Sequence, residues 1–289
     1  MINQETPLGG TTLGLSSYPL FNSPQEVGDA VVEAGFHLVN HANNHILDAG
    51  EAGLKNTLNY WKSLNIPVIG AMTKEDKPIL YLSHEGITVA FLSYTYGMNG
   101  MRLSEKSPYR ISLLNKATVE SEATEARKNA DLVIASVHWG DENILKYNEE
   151  QRAYAKLFAA HNVDLVVGHH PHVLQPLESL PRADGREMWV AYSLGNFVSN
   201  QNDAENMLGG LLSVEFRGNK GNMLVQNIRM IPTITHFEAG YKNTKIYFLE
   251  DYTKTLAAKH GCLKYDSNFS LAYMQQLYQN AIPAAQRSD

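Results

Sequence analysis

Three imidazoles stand together in Gly168-His169-His170-Pro171-His172. Neutral imidazole is the commonest metal ligand. A His-x-His pair outside regular structure, stiffened by Pro171, offers two ring nitrogens to divalent cations. Three more clusters carry similar chemistry: Asn43-Asn44-His45-x-x-Asp48, His138-Trp139-Gly140-x-Glu142 and Gly195-Asn196. Their donors are nitrogen and oxygen without sulfur, a set that suits zinc, manganese or iron rather than calcium or copper(I). Two cations about 3.5–4 Å apart are a common device for clamping a phosphoryl group. An asparagine supplies a carbonyl oxygen to such a cation, and a histidine beside it can face the leaving group as general acid. Each residue also has a plainer reading. His170 and His172 are loop histidines, His138 a strand-end histidine bonded to a carbonyl, Asn44 and His45 turn residues, and Asp48 a helix N-cap.

The elements around these clusters favour chemistry. Residues 163–167 form a short apolar run rich in β-branched side chains, which reads as a buried strand ending at the histidines. Similar runs at 36–39, 131–137 and 188–192 precede the other clusters. Helical patterns lie between them. Ser23-Pro24-Gln25-Glu26 reads as a capping box opening a helix with Val27, Ala30, Val31 and Ala34 on one face and Gly35 at its end. Leu54, Leu58, Trp61 and Leu64 mark a second helix, which Asp48 and Glu51 can cap. Residues 115–129 and 149–160 are two more. Residues 66–69 are a further strand, 79–82 and 87–94 a strand pair turning at His84-Glu85-Gly86, and 96–109 a loop without period. Residues 210–216 and 223–230 read as a hairpin, and two helical patterns follow from about residue 247. Alternating strands and helices mean α/β with a parallel sheet, to which an antiparallel portion is added. The polar strand ends of such a sheet meet along one edge.

With 289 residues the chain can bury a sizeable core. Its net charge is -6, which gives no electrostatic case for nucleic acid. The single cysteine, Cys262, excludes an internal disulfide and a cysteine-based zinc site. No stretch is long and apolar enough to read as a membrane span. Residues 1–7 read as the exit of a strand whose start lies outside the sequence, so an N-terminally trimmed chain is expected. His37, His84, His161, His236 and His260 read as surface or core histidines, and His169 as a packing or solvated one.

Asn3-x-Glu5-Thr6-Pro7, Ala42-Asn43-Asn44-His45-x-x-Asp48, His138-Trp139-Gly140-x-Glu142, Gly168-x-His170-Pro171-His172-Val173-x-Gln175 and Tyr192-Ser193-Leu194-Gly195-Asn196-Phe197 resemble the poly-gamma-glutamate capsule biosynthesis protein family, CapA. The resemblance covers residues 3–198, in the family's order. It implies a calcineurin-like metallophosphoesterase fold, with two packed mixed β-sheets flanked by helices and the first strand missing. The chain is read as a domain over residues 1–240 followed by a mainly helical appendage over 241–289, the latter from its helical patterns and outside the resemblance. The resemblance further implies a dimetal-type centre of one or two manganese, zinc or iron ions. Glu5, Asn44, His138, His170 and His172 would be ligands, with Asn44 bridging. His45 would be the acid, assisted by Asp48, and Asn43, Glu142 and Asn196 would meet substrate. The family's Gly-Asp strand, whose aspartate is a presumed ligand, does not precede Asn3. The expected role is in synthesis or export of poly-gamma-glutamate. The alternatives are a metal-dependent hydrolase acting on a small phosphorylated or acyl substrate, and a polymer-binding protein with a relic site. Expected partners are an anionic polymer or phosphorylated substrate and other capsule-synthesis membrane proteins, with no nucleic acid. The parent protein would sit on the extracellular face of the membrane.

Overall fold

The short apolar runs become strands, and the amphipathic runs between them become helices, in the computed structural model, which describes residues 1–288. The chain divides into two units, Met1–His138 and Trp139 onward, both mixed α/β.

In the first unit, β1 (Ile2–Asn3), β2 (Val39–Asn40) and β3 (Val68–Ile69) form a parallel sheet in that order. The connections are α1 (Glu26–Glu33) and α2 (Gly50–Ser63). The core here is Leu8, Val31, Val39 and Trp61, with Val27, Phe36 and Tyr60 against it. β4 (Ala71–Thr73) leads to the hairpin of β5 (Leu80–His84) and β6 (Ile87–Thr95). Its turn residues Glu85 and Gly86 have φ of 51° and 81°, the left-handed pair a two-residue hairpin wants. β7 (Tyr109–Ile111) pairs antiparallel with β4. α3 (Lys116–Asn129) is capped by the Asn115 side chain and packs on β6 and on β8 (Leu132–His138). β8 is parallel to β6 and buried along its whole length.

In the second unit, α4 (Glu149–Ala160) starts at a capping box of Asn148 and Gln151. β9 (Leu165–His169), β10 (Leu177–Pro181) and β11 (Glu187–Ala191) follow, with β11 parallel to β9 and antiparallel to β10. A second sheet is an antiparallel meander of β12 (Leu208–Asn219), β13 (Asn222–Glu238) and β14 (Lys242–Phe248). Two helices, α5 (Lys254–Ala257) and α6 (Leu271–Ala281), come last.

Several local expectations change. Ser23 does not cap α1. The N-cap is Gln25, without a side-chain bond, and the Ser23 hydroxyl pairs with that of Thr6 at 2.7 Å. Asp48 does not cap α2: the N-cap is Ala49, without a side-chain bond, and the Asp48 carboxylate is taken by His45 Nδ1 and the Phe21 N–H. The strands preceding the polar clusters do not share one parallel sheet: β2 pairs with β1 and β3, whereas β8 pairs with β6. Residues 1–7, read as the exit of a strand, hold the two-residue β1, whose Asn3 opens the first motif. His236 and His260 are buried, and His84 is exposed at the hairpin turn.

Candidate functional site

The loop after β2 is held from beneath and from within. Gly70, at φ 87°, lies so close to Ala42 and Ser93 that a side chain there would collide with both. Asn40 donates to Asn3 Oδ1 at 3.0 Å and accepts from the Ser93 hydroxyl. His41 is fully buried, and its Nε2 accepts the indole N–H of Trp61 at 2.7 Å. Burial pushes its pKa down to about 3, so it is a neutral core acceptor. Asn43, also fully buried, donates to the Gln4 carbonyl at 2.9 Å and accepts the His45 N–H at 3.1 Å. Its carboxamide therefore builds the turn that presents His45.

His45 and Asp48 form a pair, with Nδ1 to Oδ2 at 2.6 Å. The same Oδ2 accepts the Phe21 N–H at 2.8 Å. The Phe21 ring meets the imidazole edge-on at 4.8 Å. A carboxylate on Nδ1 fixes the tautomer and directs Nε2 as the ring atom that exchanges a proton. A second convergence lies at the end of β8. His138 Nε2 stands 2.8 Å from Asn44 Oδ1 and 3.8 Å from Glu5 Oε1. Asn44 donates its amide N–H to Asn99 Oδ1 at 3.2 Å, which assigns its carbonyl oxygen to the His138 side. The Tyr96 ring stacks on His138 at 6.3 Å, nearly parallel. Imidazole nitrogen, carboxamide oxygen and carboxylate oxygen thus gather at one spot of the first unit.

In the second unit, Glu142, His170 and His172 each place a ligand atom within 4.8 Å of the others, a group able to hold a metal ion. His170 and His172 adopt φ of 100° and 60° on either side of Pro171, a left-handed backbone uncommon for non-glycine residues. Gly168 passes against the Tyr192 carbonyl and the Trp139 indole where no Cβ would fit. The Trp139 backbone N–H donates to the His169 carbonyl at 3.1 Å, and the Asn143 backbone N–H to the Pro171 carbonyl at 2.8 Å. Asn196 Oδ1 sits 3.0 Å from His172 Nδ1. Its amide nitrogen donates to Gln201 Oε1 at 2.7 Å and to the Asn206 carbonyl at 3.2 Å. Its oxygen is therefore the acceptor, Nδ1 carries the proton, and the lone pair is on Nε2. Fixing a ligand histidine through its other nitrogen is the usual support of a metal site. Asn196, expected at the substrate, is bonded to the His172 ring through this oxygen. Both donor sets are nitrogen and oxygen and match the chemistry of a divalent cation.

Sequence reasoning missed Phe21, Tyr96, Asn99 and Asn206. Asn99 and Tyr96 lie in the loop that shows no period, and Phe21 and Asn206 fall outside every motif. Only the folded contacts show their roles.

A family model, bacterial capsule synthesis protein PGA_cap, matches residues 1–201. The chain belongs to this family. It is 34% identical over 204 residues to the capsule biosynthesis protein CapA of Bacillus anthracis, covering 68% of this chain and 48% of that protein. It is 33% identical over 172 residues to the PGA biosynthesis protein CapA of Bacillus subtilis (strain 168), covering 58% of this chain and 44% of that one. The match thus spans just under half the length of these relatives. Among solved structures, Haemophilus influenzae NAD nucleotidase (NadN) aligns with a TM-score of 0.48 at 17% identity, over 87% of this chain and 52% of that one. A 5'-nucleotidase precursor from Thermus thermophilus aligns at 0.45 and 16%, over 70% and 40%. These likenesses are loose and say nothing of substrate. Among the described residues no helix is long and apolar enough to cross a membrane.

Proposed function

We propose that this protein is a CapA-like component of poly-gamma-glutamate capsule or exopolymer synthesis or export. In this reading it carries a metallophosphoesterase-like site for manganese, zinc or iron. Glu5, Asn44 and His138 form one donor set, and Glu142, His170 and His172 the other. The supporting observation is that motifs 94 residues apart in sequence bring Asn44 Oδ1 and His138 Nε2 within 2.8 Å of each other, with Glu5 Oε1 at 3.8 Å from the same nitrogen. A bound cation supplies Lewis acidity and brings the pKa of bound water to about 7. The chain's own contribution is proton handling. Asp48 holds the His45 Nδ1–H, so Nε2 gives its proton to a leaving oxygen and regains one from solvent. Asn43 fixes the His45 backbone, and Asn196 fixes the His172 ring. The reaction class is hydrolysis or transfer at a phosphoryl or acyl-like bond.

A second reading treats the fold as a polymer-handling device in which cations hold the carboxylates of an anionic chain. The net charge of -6 favours cations between protein and polyanion over direct contact. In both readings the protein works at the extracellular face of the membrane beside other capsule-synthesis proteins. The test is turnover of a chromogenic phosphodiester with added manganese. Turnover that His45→Ala abolishes while bound metal persists supports catalysis. Absence of turnover, with polymer binding that a chelator removes, supports the second reading. A chain that binds no metal leaves a relic site and overturns both.

A further inference from the structure

Asn44 is the carboxamide of the two donor sets, and its use depends on which way round it sits. A carboxamide carries an oxygen with lone pairs at one end and an NH2 group that only donates at the other. Only the oxygen can meet a cation, and a half-turn about the last side-chain bond exchanges the two. Asn44 is buried, and its amide nitrogen donates to Asn99 Oδ1 at 3.2 Å. That contact separates the two orientations, because the reversed one would set oxygen against oxygen.

The local turn explains the residue type at 99 but not its contact. Residues 98–101 form a tight turn closed by the Met101 N–H on the Met98 carbonyl at 2.8 Å. Its central residues, Asn99 and Gly100, have φ of 49° and 78°, and Asn-Gly is a pair such a turn favours. The turn alone leaves open where it points. That is set by ties to both ends of the Asn44–His138 pair. The Tyr96 N–H donates to the His138 carbonyl at 3.0 Å, and the Tyr96 ring lies 9° from parallel with the imidazole. The Thr95 hydroxyl donates to the Gly97 carbonyl at 3.0 Å and steadies the base of the segment. Met98 and Met101 pack against the buried cluster that contains Ile46 and Leu47, close behind Asn44 in the chain. The Asn99 oxygen thus reaches Asn44 on a segment held by the backbone of one donor and by apolar side chains beside the other.

We propose that Asn99 is a positioning residue for the first donor set: its oxygen holds the NH2 end of Asn44, so that the Asn44 oxygen stays on the His138 side. This rests on the metal reading above and adds to it a residue outside every motif that carried the resemblance. Without that acceptor the two orientations of Asn44 compete, and the reversed one offers a cation no lone pair. Two substitutions separate this role from the turn. Glycine takes positive φ freely, so Asn99→Gly keeps the turn and deletes the acceptor. Aspartate is among the residues enriched at positive φ, so Asn99→Asp keeps the turn and presents a carboxylate oxygen to the Asn44 NH2.

The test is zinc titration of the full chain, followed in the nitrogen–proton correlation spectrum of the imidazole rings. The His138 signals are identified by their loss in His138→Ala. This readout isolates the first donor set from His170 and His172 and requires no turnover. Urea unfolding establishes that each variant is folded. Zinc is expected to shift the wild-type His138 signals, and Asn99→Gly to need about tenfold more zinc for the same shift, the lower end of the usual loss when such a supporting partner is removed. Asn99→Asp is expected to respond at the wild-type zinc concentration or below it. An unchanged zinc dependence in Asn99→Gly overturns the proposal and leaves the metal reading standing. Equal weakening in Asn99→Gly and Asn99→Asp overturns it as well, because the loss would then belong to the turn. Wild-type His138 signals that zinc does not move overturn the first donor set and the proposal with it.

Discussion

At the scale of single residues, Asp48 and Asn196 act through the histidines they hold. The Asp48 side chain is fully buried and serves two donors, His45 Nδ1 and Phe21 N–H. Asp48→Ala leaves both without that acceptor, and leaving buried polar groups unsatisfied costs about 1–3 kcal/mol. The expected outcome is lower stability in urea unfolding, loss of any metal-dependent turnover, and unchanged metal content. Metal content that falls with turnover would show that Asp48 holds the cation itself. Asn196→Ala removes the acceptor that fixes the His172 tautomer. The expected outcome is metal affinity lowered about 10–100-fold, the usual effect of losing such a support, read by titration with manganese or zinc. Unchanged affinity would mean that His172 needs no orienting partner.

At the scale of elements, the loop after β2 is the most constrained part of the site, and its buried histidine makes it sensitive to pH. Burial pushes His41 down to about 3 and His260 to about 4, against about 6.5 for an unfolded histidine. Above about pH 6.5 both rings are neutral in either state, and their contribution to stability is fully present. Below it the unfolded chain takes up protons that the folded chain refuses, so stability falls as pH drops toward the folded values. Urea unfolding between about pH 7 and pH 4 should show this decline. It should be shallower in His41→Gln, which keeps an acceptor for Trp61 and does not titrate. An identical slope in that variant would mean that other groups carry the effect.

Much of this scale was legible in the sequence. Helix α4 has the bounds its spacing indicates, and the β5–β6 hairpin turns at the expected residues. What escaped has physical causes. β10 and β14 were missed because both are edge strands. β10 ends in Pro181, and β14 begins with exposed, polar Lys242-Asn243-Thr244-Lys245, the composition that blunts a sheet edge and hides the strand's alternation. Asp48 looked like an N-cap because its type and position fit one. Only the turn closed by the Asp48 N–H on the His45 carbonyl at 3.0 Å brings the carboxylate back to the His45 ring.

At the scale of the whole molecule, the five motifs that carried the resemblance fall in the stretch the family model matches, and the chain is mixed α/β as expected. The expectation of a single sheet edge gives way to a different arrangement. In the first unit, β2 and β8 lie in different sheets, yet their exits meet, with Asn44 on His138. The candidate donors stood out because imidazole, carboxamide and carboxylate side chains cluster at the strand ends in the sequence. The supporting residues did not, because Asn99, Asn206 and Phe21 act through long-range contacts that no local pattern encodes. The central claim is that the two donor sets bind divalent cations. Metal analysis of the full chain after equilibration with manganese or zinc tests it most directly, beside a variant carrying His138→Ala, His170→Ala and His172→Ala. The account predicts at least one tightly held cation per wild-type chain and negligible metal in a folded variant. Negligible metal in the wild-type chain, or equal metal in both, would contradict it.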